Sequence, residues 1–292
     1  MIHELHASEW RNIDWYEVRG GDTFKINGTC GVEGQKIQPF EVKHGNITIE
    51  GPADFYGYYL ASNGIHGLTF RNLHFWDSGQ IRSQGGSHYW FDRCWFRGLR
   101  PSNDIFVQLG PGNDYWTFKN CVVEGAGDAI YTKIEDGQAA NRLWVEGCTL
   151  RDLHGRDGHG VGIQGGSNHV ISNNRIHNCG TAITCWGSFN LPMTDIEITG
   201  NLIYNCEIRD IATGSGIEIS GSHEVDLNLP KPLWRSGIRI IRNMIHDVQG
   251  WGISTNIRDP FVDVGNLIYA AGAGKRRNAN PFKGEVGPLE VE

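Results

Sequence analysis

One phrase recurs along this chain, and its spacing leaves few ways to fold. Its first copies are Thr69-Phe-Arg-Asn-Leu-His-Phe75, Trp90-Phe-Asp-Arg-Cys-Trp-Phe96, Thr117-Phe-Lys-Asn-Cys-Val-Val123 and Trp144-Val-Glu-Gly-Cys-Thr-Leu150. Val170-Ile-Ser-Asn-Asn-Arg-Ile176, Glu197-Ile-Thr-Gly-Asn-Leu-Ile203, Ile240-Ile-Arg-Asn-Met-Ile245 and Val262-Asp-Val-Gly-Asn-Leu-Ile268 continue the series. One position in each copy is Asn or Cys: Asn72, Cys94, Cys121, Cys148, Asn174, Asn201, Asn243 and Asn266. Successive intervals are 22, 27, 27, 26, 27, 42 and 23 residues. A period in the twenties, carried by alternating β-branched segments, means coils of strand stacked on one another.

Each coil is expected to hold three short strands. Two flank the Asn/Cys turn, and a third follows in segments such as Gly127-Asp-Ala-Ile-Tyr-Thr-Lys133 and Gly158-His-Gly-Val-Gly-Ile-Gln164. Parallel strands cannot be joined by tight hairpins, but a solenoid winds each strand onto its equivalent one coil later. The crossover rule makes that winding right-handed. The reading is an all-β, single-domain, right-handed parallel β-helix of about nine coils. Its expected parts are an N-terminal cap over 1–19, the β-helix over 20–270 and a C-terminal tail over 271–292. Ser8 is expected to N-cap a short helix through about Val18 that covers the first strand edges.

Composition agrees and narrows the functions. Forty glycines against three methionines suit many tight turns and argue against a helical bundle. A net charge of −7 argues against a nucleic-acid surface, and no apolar run is long enough to span a membrane. The start, Met1-Ile-His-Glu-Leu-His-Ala7, has no basic segment followed by an apolar one, so no signal peptide is expected. An intracellular, virion-associated or leader-stripped secreted protein all stay open, as does the oligomeric state. Seven cysteines is an odd number. Side chains in one stacked column point the same way, so Cys94, Cys121 and Cys148 are expected to be reduced, buried plugs.

Outward residues of the third strand are the candidate site. Anchored on Ile81, Ile105, Ile130, Val161, Ile183, Ile217 and Ile253, a first outward column reads Arg82, Phe106, Tyr131, Gly162, Thr184, Glu218, Ser254. A second reads Gln84, Gln108, Lys133, Gln164, Trp186, Ser220, Asn256, and Asp128, His159 and Trp251 precede their anchors by two. Such a face suits a polysaccharide or oligosaccharide, held by hydrogen bonds and ring stacking: Arg82, Gln108, Gln164, Trp186, Glu218 and Trp251 are the candidate binding residues. Trp90, Trp95 and Trp144 are read as core or turn filling.

The coil pattern with Asn turns resembles the pectin-lyase-like superfamily, over roughly residues 20 to 270. Asn103-Asp104, Gly127-Asp128 and Gly158-His159-Gly160-Val161 fall on three successive coils. In that order they resemble the Asn-Thr-Asp, Asp-Asp and Gly-His-Gly motifs of polygalacturonase-type glycoside hydrolases. Gly127 stands where that group has its first paired Asp, and Glu218-Ile219-Ser220 stands at its Arg-Ile-Lys segment, which departs from a pectin-binding pattern.

The resemblance implies a carbohydrate-active enzyme that cleaves glycosidic bonds. Hydrolysis by Asp128, Asp104 and His159 is placed ahead of β-elimination by Lys133 with Tyr131, Arg82 neutralising charge. Stacked beside His159, Asp128 is expected to hold the imidazole protonated near neutral pH. No cofactor is required, although Asp104 and Asp128 are candidate oxygen ligands for Ca²⁺. Plainer roles stand beside these: Asp128 after a glycine suits a local Asx turn, and His159 suits a turn. A non-catalytic β-helix, such as a phage or virion fibre or a carbohydrate-binding scaffold, is the rival from another class.

Overall fold

The computed structural model describes residues 1–34, 38–62, 64–77, 81–83, 85–98, 105–186, 193–210, 212–220, 236–255 and 261–278. Gln84, Asp104 and Asn256, together with the insertion at 221–234, lie outside the described residues.

Strands wind in parallel coils, as the repeat requires. The third strands form a ten-stranded sheet running Gln38–Glu41, Tyr58–Ala61, Ile81–Ser83, Ile105–Leu109, Asp128–Thr132, Val161–Ile163, Ile183–Trp186, Ile217–Ser220, Trp251–Thr255, Gly274–Asn278. Its last strand continues the solenoid past residue 270. The first two strands of each coil make up an eighteen-stranded sheet. In Thr23–Cys30, Ile47–Tyr56 and Leu68–Trp76 they are one strand bent at the turn; from Tyr89–Asp92 and Trp95–Arg97 onward they are separate.

Inside, aliphatic and aromatic side chains stack on their counterparts one coil away. Phe70, Phe91 and Phe118 form one such file, with centroids 4.9 and 4.8 Å apart. At the turn, Asn174 Nδ2 donates to Asn201 Oδ1 (3.0 Å), Asn201 to Asn243 (2.9 Å), and Asn243 to Asn266 (2.9 Å). Each of the same oxygens also accepts a backbone N–H, as Asn174 Oδ1 does from Cys148 (2.8 Å). Cys94, Cys121 and Cys148 continue the column, buried, with Sγ atoms directed at carbonyls of Phe70, Phe91 and Phe118. All seven cysteines are free and buried.

Asn72 departs from the expected column. Thr69 pairs with Trp90 and His74 with Trp95, so Leu73, fully buried, is the counterpart of Cys94. Asn72 instead takes the preceding position, where φ is positive in the coils from there onward: Asn72 (50°), Arg93 (54°), Asn120 (54°), Gly147 (64°), Asn173 (55°), Gly200 (65°), Arg242 (54°), Gly265 (67°). Asparagine tolerates that left-handed conformation better than most residues, which is why it serves there too.

The cap is shorter than expected. Ile2–His6 is a strand paired with Thr23–Cys30, and a 3₁₀ helix over Ala7–Asn12 follows. Its N-cap is His6, not Ser8: the Ser8 N–H donates to His6 Nδ1, and Glu9 accepts from the His6 N–H. Trp10 closes the core by stacking on Phe40 at 4.3 Å. No helix among the described residues is long and apolar enough to cross a membrane.

Candidate functional site

Register decides which side chains meet on the third sheet. Val107 pairs with Ile81 and Ile130, and Ile105 pairs with Asp128. The coil anchor is therefore Val107 rather than Ile105, a slip of two residues from the expected alignment. The outward column becomes Arg82, Gln108, Tyr131, Gly162, Thr184, Glu218, Ser254. Phe106 leaves it and is buried against Phe96 at 5.4 Å. The residue opposite Asp128 is Ile105, and Asp104 lies outside the described residues.

Asp128 and His159 do meet. Asp128 opens its strand, and the turn 154–159 of the next coil stacks on 126–128 through His154 N–H to Ala126 O and Gly155 N–H to Gly127 O. The His159 N–H donates to Asp128 Oδ1 at 2.6 Å, so this carboxyl bonds between coils and not in a local Asx turn. His159 Nδ1 lies 3.4 Å from the same oxygen, too poorly aligned for a hydrogen bond. A third member, Asp157, was not singled out by the sequence reading. Gly158, with φ +60°, reverses the chain between Asp157 and His159, and a Cβ there would press on Gly180 N at 2.8 Å. Ligand-capable atoms of Asp128, Asp157 and His159 all lie within 4.8 Å of one another. Two buried atoms of the group, Asp157 Oδ1 and His159 Nδ1, have no hydrogen-bond partner.

Electrostatics reverse one expectation. Burial lifts the Asp128 carboxyl to about 7, a rise to which the Asp157 charge adds and which the His159 N–H opposes. Burial also lowers His159 to about 4, so desolvation outweighs the neighbouring carboxylate. Asp128 is therefore the member of the pair that titrates near neutral pH, and His159 is neutral there. Asp157 is raised as well, by burial, with Arg156 opposing.

Tyr131 packs beside the group, its ring 5.9 Å from His159 and lying over Gly162, where a Cβ would meet the ring at 2.2 Å. Its hydroxyl is pushed far above the ordinary range by burial and by the Asp128 charge, against a hydrogen bond with Gln164. Lys133 is exposed beyond the other end of the strand, about 16 Å from Asp128 at the usual strand rise. The structure does not bring it to the group.

Of the candidate binding residues, Gln108 is half-buried between Arg82 and Tyr131 in the register. Gln164 accepts from the Ile134 N–H. Glu218 accepts from the Thr213 hydroxyl at 2.6 Å, and Trp251 lies against Gly274. Trp186 is exposed in the strand Ile183–Trp186. Trp90 and Trp144, expected to fill core or turns, are 43% and 48% exposed, because they occupy outward positions of the first-strand ladder.

Two carboxyls and an imidazole give either a proton-transfer centre or a cation site. Asp128 and Asp157 supply oxygens compatible with Ca²⁺, and the imidazole nitrogen extends the range to ions that accept nitrogen ligands.

A parallel β-helix carrying a buried acid group on one sheet is the class these observations define. The chain belongs to the right-handed β-helix region family, whose pattern matches residues 106–274. Among solved structures it is similar to the mannuronan C-5 epimerase A-module of Azotobacter vinelandii, at 13% identity and a TM-score of 0.62, covering 96% of this chain and 86% of that one. It is also similar to an alginate lyase from Paenibacillus sp. str. FPU-7, at 15% identity and a TM-score of 0.56, covering 95% and 99%. The tailspike protein of E. coli bacteriophage HK620, solved with a pentasaccharide, matches at 14% and 0.53; the chain covers 53% of it, with 89% of this chain aligned. At such identities the likeness is one of fold. No curated protein matches the chain by sequence.

Proposed function

We propose that the protein hydrolyses glycosidic bonds of a polysaccharide or oligosaccharide lying along the outward face of the third sheet, with Asp128, Asp157 and His159 as the reacting group. One observation carries the reading: two carboxyls and an imidazole converge there with buried polar atoms left unpaired. A buried polar atom without a partner costs roughly 1–3 kcal/mol, so a fold keeps one where a ligand or reaction uses it.

Asp128, which titrates at about 7, gives its proton to the leaving oxygen while Asp157 attacks the anomeric carbon and the glycosidic bond breaks. The Asp128 carboxylate left behind then takes a proton from water, which displaces Asp157 and releases the sugar, and His159 stays neutral beside both. One ligand-capable oxygen of each carboxyl lies within 4.8 Å of the other, a closeness that suits the ~5 Å separation of retaining glycosidases better than the ~6.5–9.5 Å of inverting ones. The order of Asp128 and His159 on successive coils, which resembles polygalacturonase-type hydrolases, supports the same reading. Elimination by Lys133 and Tyr131 is disfavoured, because Lys133 stands far from the group and the Tyr131 hydroxyl resists ionisation. The names of the alginate lyase, the epimerase and the tailspike add weight to a carbohydrate ligand.

The test is a panel of neutral and acidic polysaccharides read two ways. Hydrolysis yields reducing ends without the ultraviolet absorbance of an unsaturated uronate. Appearance of that absorbance would replace hydrolysis by elimination, and neither signal would leave a binding scaffold.

A further inference from the structure

The same three side chains are arranged as metal ligands. We propose that Asp128, Asp157 and His159 form a binding site for a divalent transition-metal ion of the zinc class, selected over Ca²⁺ by the imidazole nitrogen.

Spacing is the first argument. The 3.4 Å between His159 Nδ1 and Asp128 Oδ1 is long and misaligned for a hydrogen bond. It is the edge expected of a tetrahedral site, since metal–ligand bonds of about 2.1 Å at the tetrahedral angle hold ligand atoms roughly 3.4 Å apart. Asp157, on the turn ahead of Gly158, offers a carboxylate oxygen within 4.8 Å of the other two donors.

Satisfaction is the second. His169, also buried, has both ring nitrogens engaged: Nδ1 accepts from the Leu143 N–H at 3.3 Å, and Nε2 donates to Gly165 O at 3.1 Å. His159 leaves Nδ1 sealed from solvent without a partner, and Asp157 leaves Oδ1 the same way. His177 Nδ1 is buried and unpaired too, so an unpaired imidazole alone marks no site. At His159 a second unpaired atom, on Asp157, belongs to the same group, and the Asp128 carboxylate is already oriented by the His159 N–H at 2.6 Å.

Donor chemistry is the third. Ca²⁺ takes six to eight oxygens, whereas this group offers two carboxylates and one nitrogen, the kind of set that suits zinc and its neighbours with an open fourth position. An ion held there occupies the carboxyl that the hydrolytic reading needs free, so on that reading zinc inhibits.

The experiment is calorimetric titration of ZnCl₂ into the full-length protein stripped with a chelator, with Co²⁺ absorption in the visible as a second probe of coordination. One ion per chain is expected, bound at least ~10-fold more weakly by Asp157→Asn and by His159→Gln. Binding is expected to be unchanged in Lys133→Ala and to persist in excess CaCl₂. Absence of binding, binding that survives both ligand substitutions, or displacement by Ca²⁺ would each overturn the proposal. These measurements need no substrate, so they stand even where the panel finds no cleavage, which counts against the hydrolytic reading alone. With a cleaved substrate, full turnover by the zinc-saturated protein would overturn the inhibition.

Discussion

Two buried polar regions lie within the same coils and obey opposite rules. Along the turn, Asn174, Asn201, Asn243 and Asn266 pass hydrogen bonds from coil to coil, each amide engaged with a side chain and with backbone. On the third sheet, Asp128, Asp157 and His159 are equally close together, yet two buried atoms stay unpaired. The first arrangement holds coils in register, since every polar group removed from water has found a replacement. The second withholds that satisfaction and so costs stability, as reacting centres commonly do. Saturated bonds mark the column that holds the coils; Trp95 Nε1 and His177 Nδ1 are buried and unpaired as well, and what sets the candidate site apart is two such atoms within one carboxyl–imidazole group.

The largest way to break the contrast is at the ladder. Asn174→Leu removes the side-chain bonds to the Cys148 N–H, the Val145 carbonyl and Asn201 Oδ1 inside the core, and should destabilise the protein by several kcal/mol in denaturant unfolding. A tolerant position 174 would mean that the column is not what holds the coils.

The converse substitution should stabilise. The native state binds the Asp128 proton more tightly than the unfolded chain does, so stability from this group falls as pH rises from about 4 to about 7. His159 works the other way, since its native value of about 4 lies below 6.5, and it adds stability as pH rises between those values. In the metal-free wild type the two nearly offset. Asp128→Asn keeps an acceptor for the His159 N–H and removes only the first effect. The variant should therefore exceed wild type by roughly a few kcal/mol at pH 8, with the gap closing toward pH 4. A variant less stable than wild type at pH 8 would make Asp128 a structural residue.

Thiol labelling sharpens the ladder side of the comparison. Burial holds the Cys94 and Cys148 thiols well above their ordinary range. With Cys121 equally enclosed, all three should resist a thiol reagent until the chain is denatured. Rapid native labelling would place the column at the surface. The smallest effect is expected at Lys133→Ala, exposed and remote from Asp128, which should leave turnover within about two-fold of wild type; a loss of ~10²-fold there would restore the elimination mechanism.

How far the sequence carried these conclusions differs between the two regions. The coils were legible because each strand repeats its inward and outward residues at a fixed interval. The alignment at Ile105 failed for a reason built into strands: Ile105 and Val107 are two aliphatic positions two residues apart, so a two-residue slip preserves the alternation of the sequence pattern. Asn72 was misplaced by one because asparagine suits both the ladder and the left-handed position before it. Asp128 and His159 were found by their offset from the anchors. Asp157 was missed because alternation assigns no contact across a turn; the legible signal was Asp157-Gly158-His159, a glycine able to fold both neighbours onto one point. The charge of His159 was misjudged because burial, unlike proximity, is not written in spacing.

Asp128 as proton donor of the proposed hydrolytic centre is tested most directly by the turnover of the metal-free Asp128→Asn protein. On any polysaccharide the panel shows to be cleaved, reducing-end release should fall at least ~10²-fold in a variant that remains folded and gains stability at pH 8. Undiminished release by that folded variant would contradict the assignment and leave Asp128 as a former of the turn between coils.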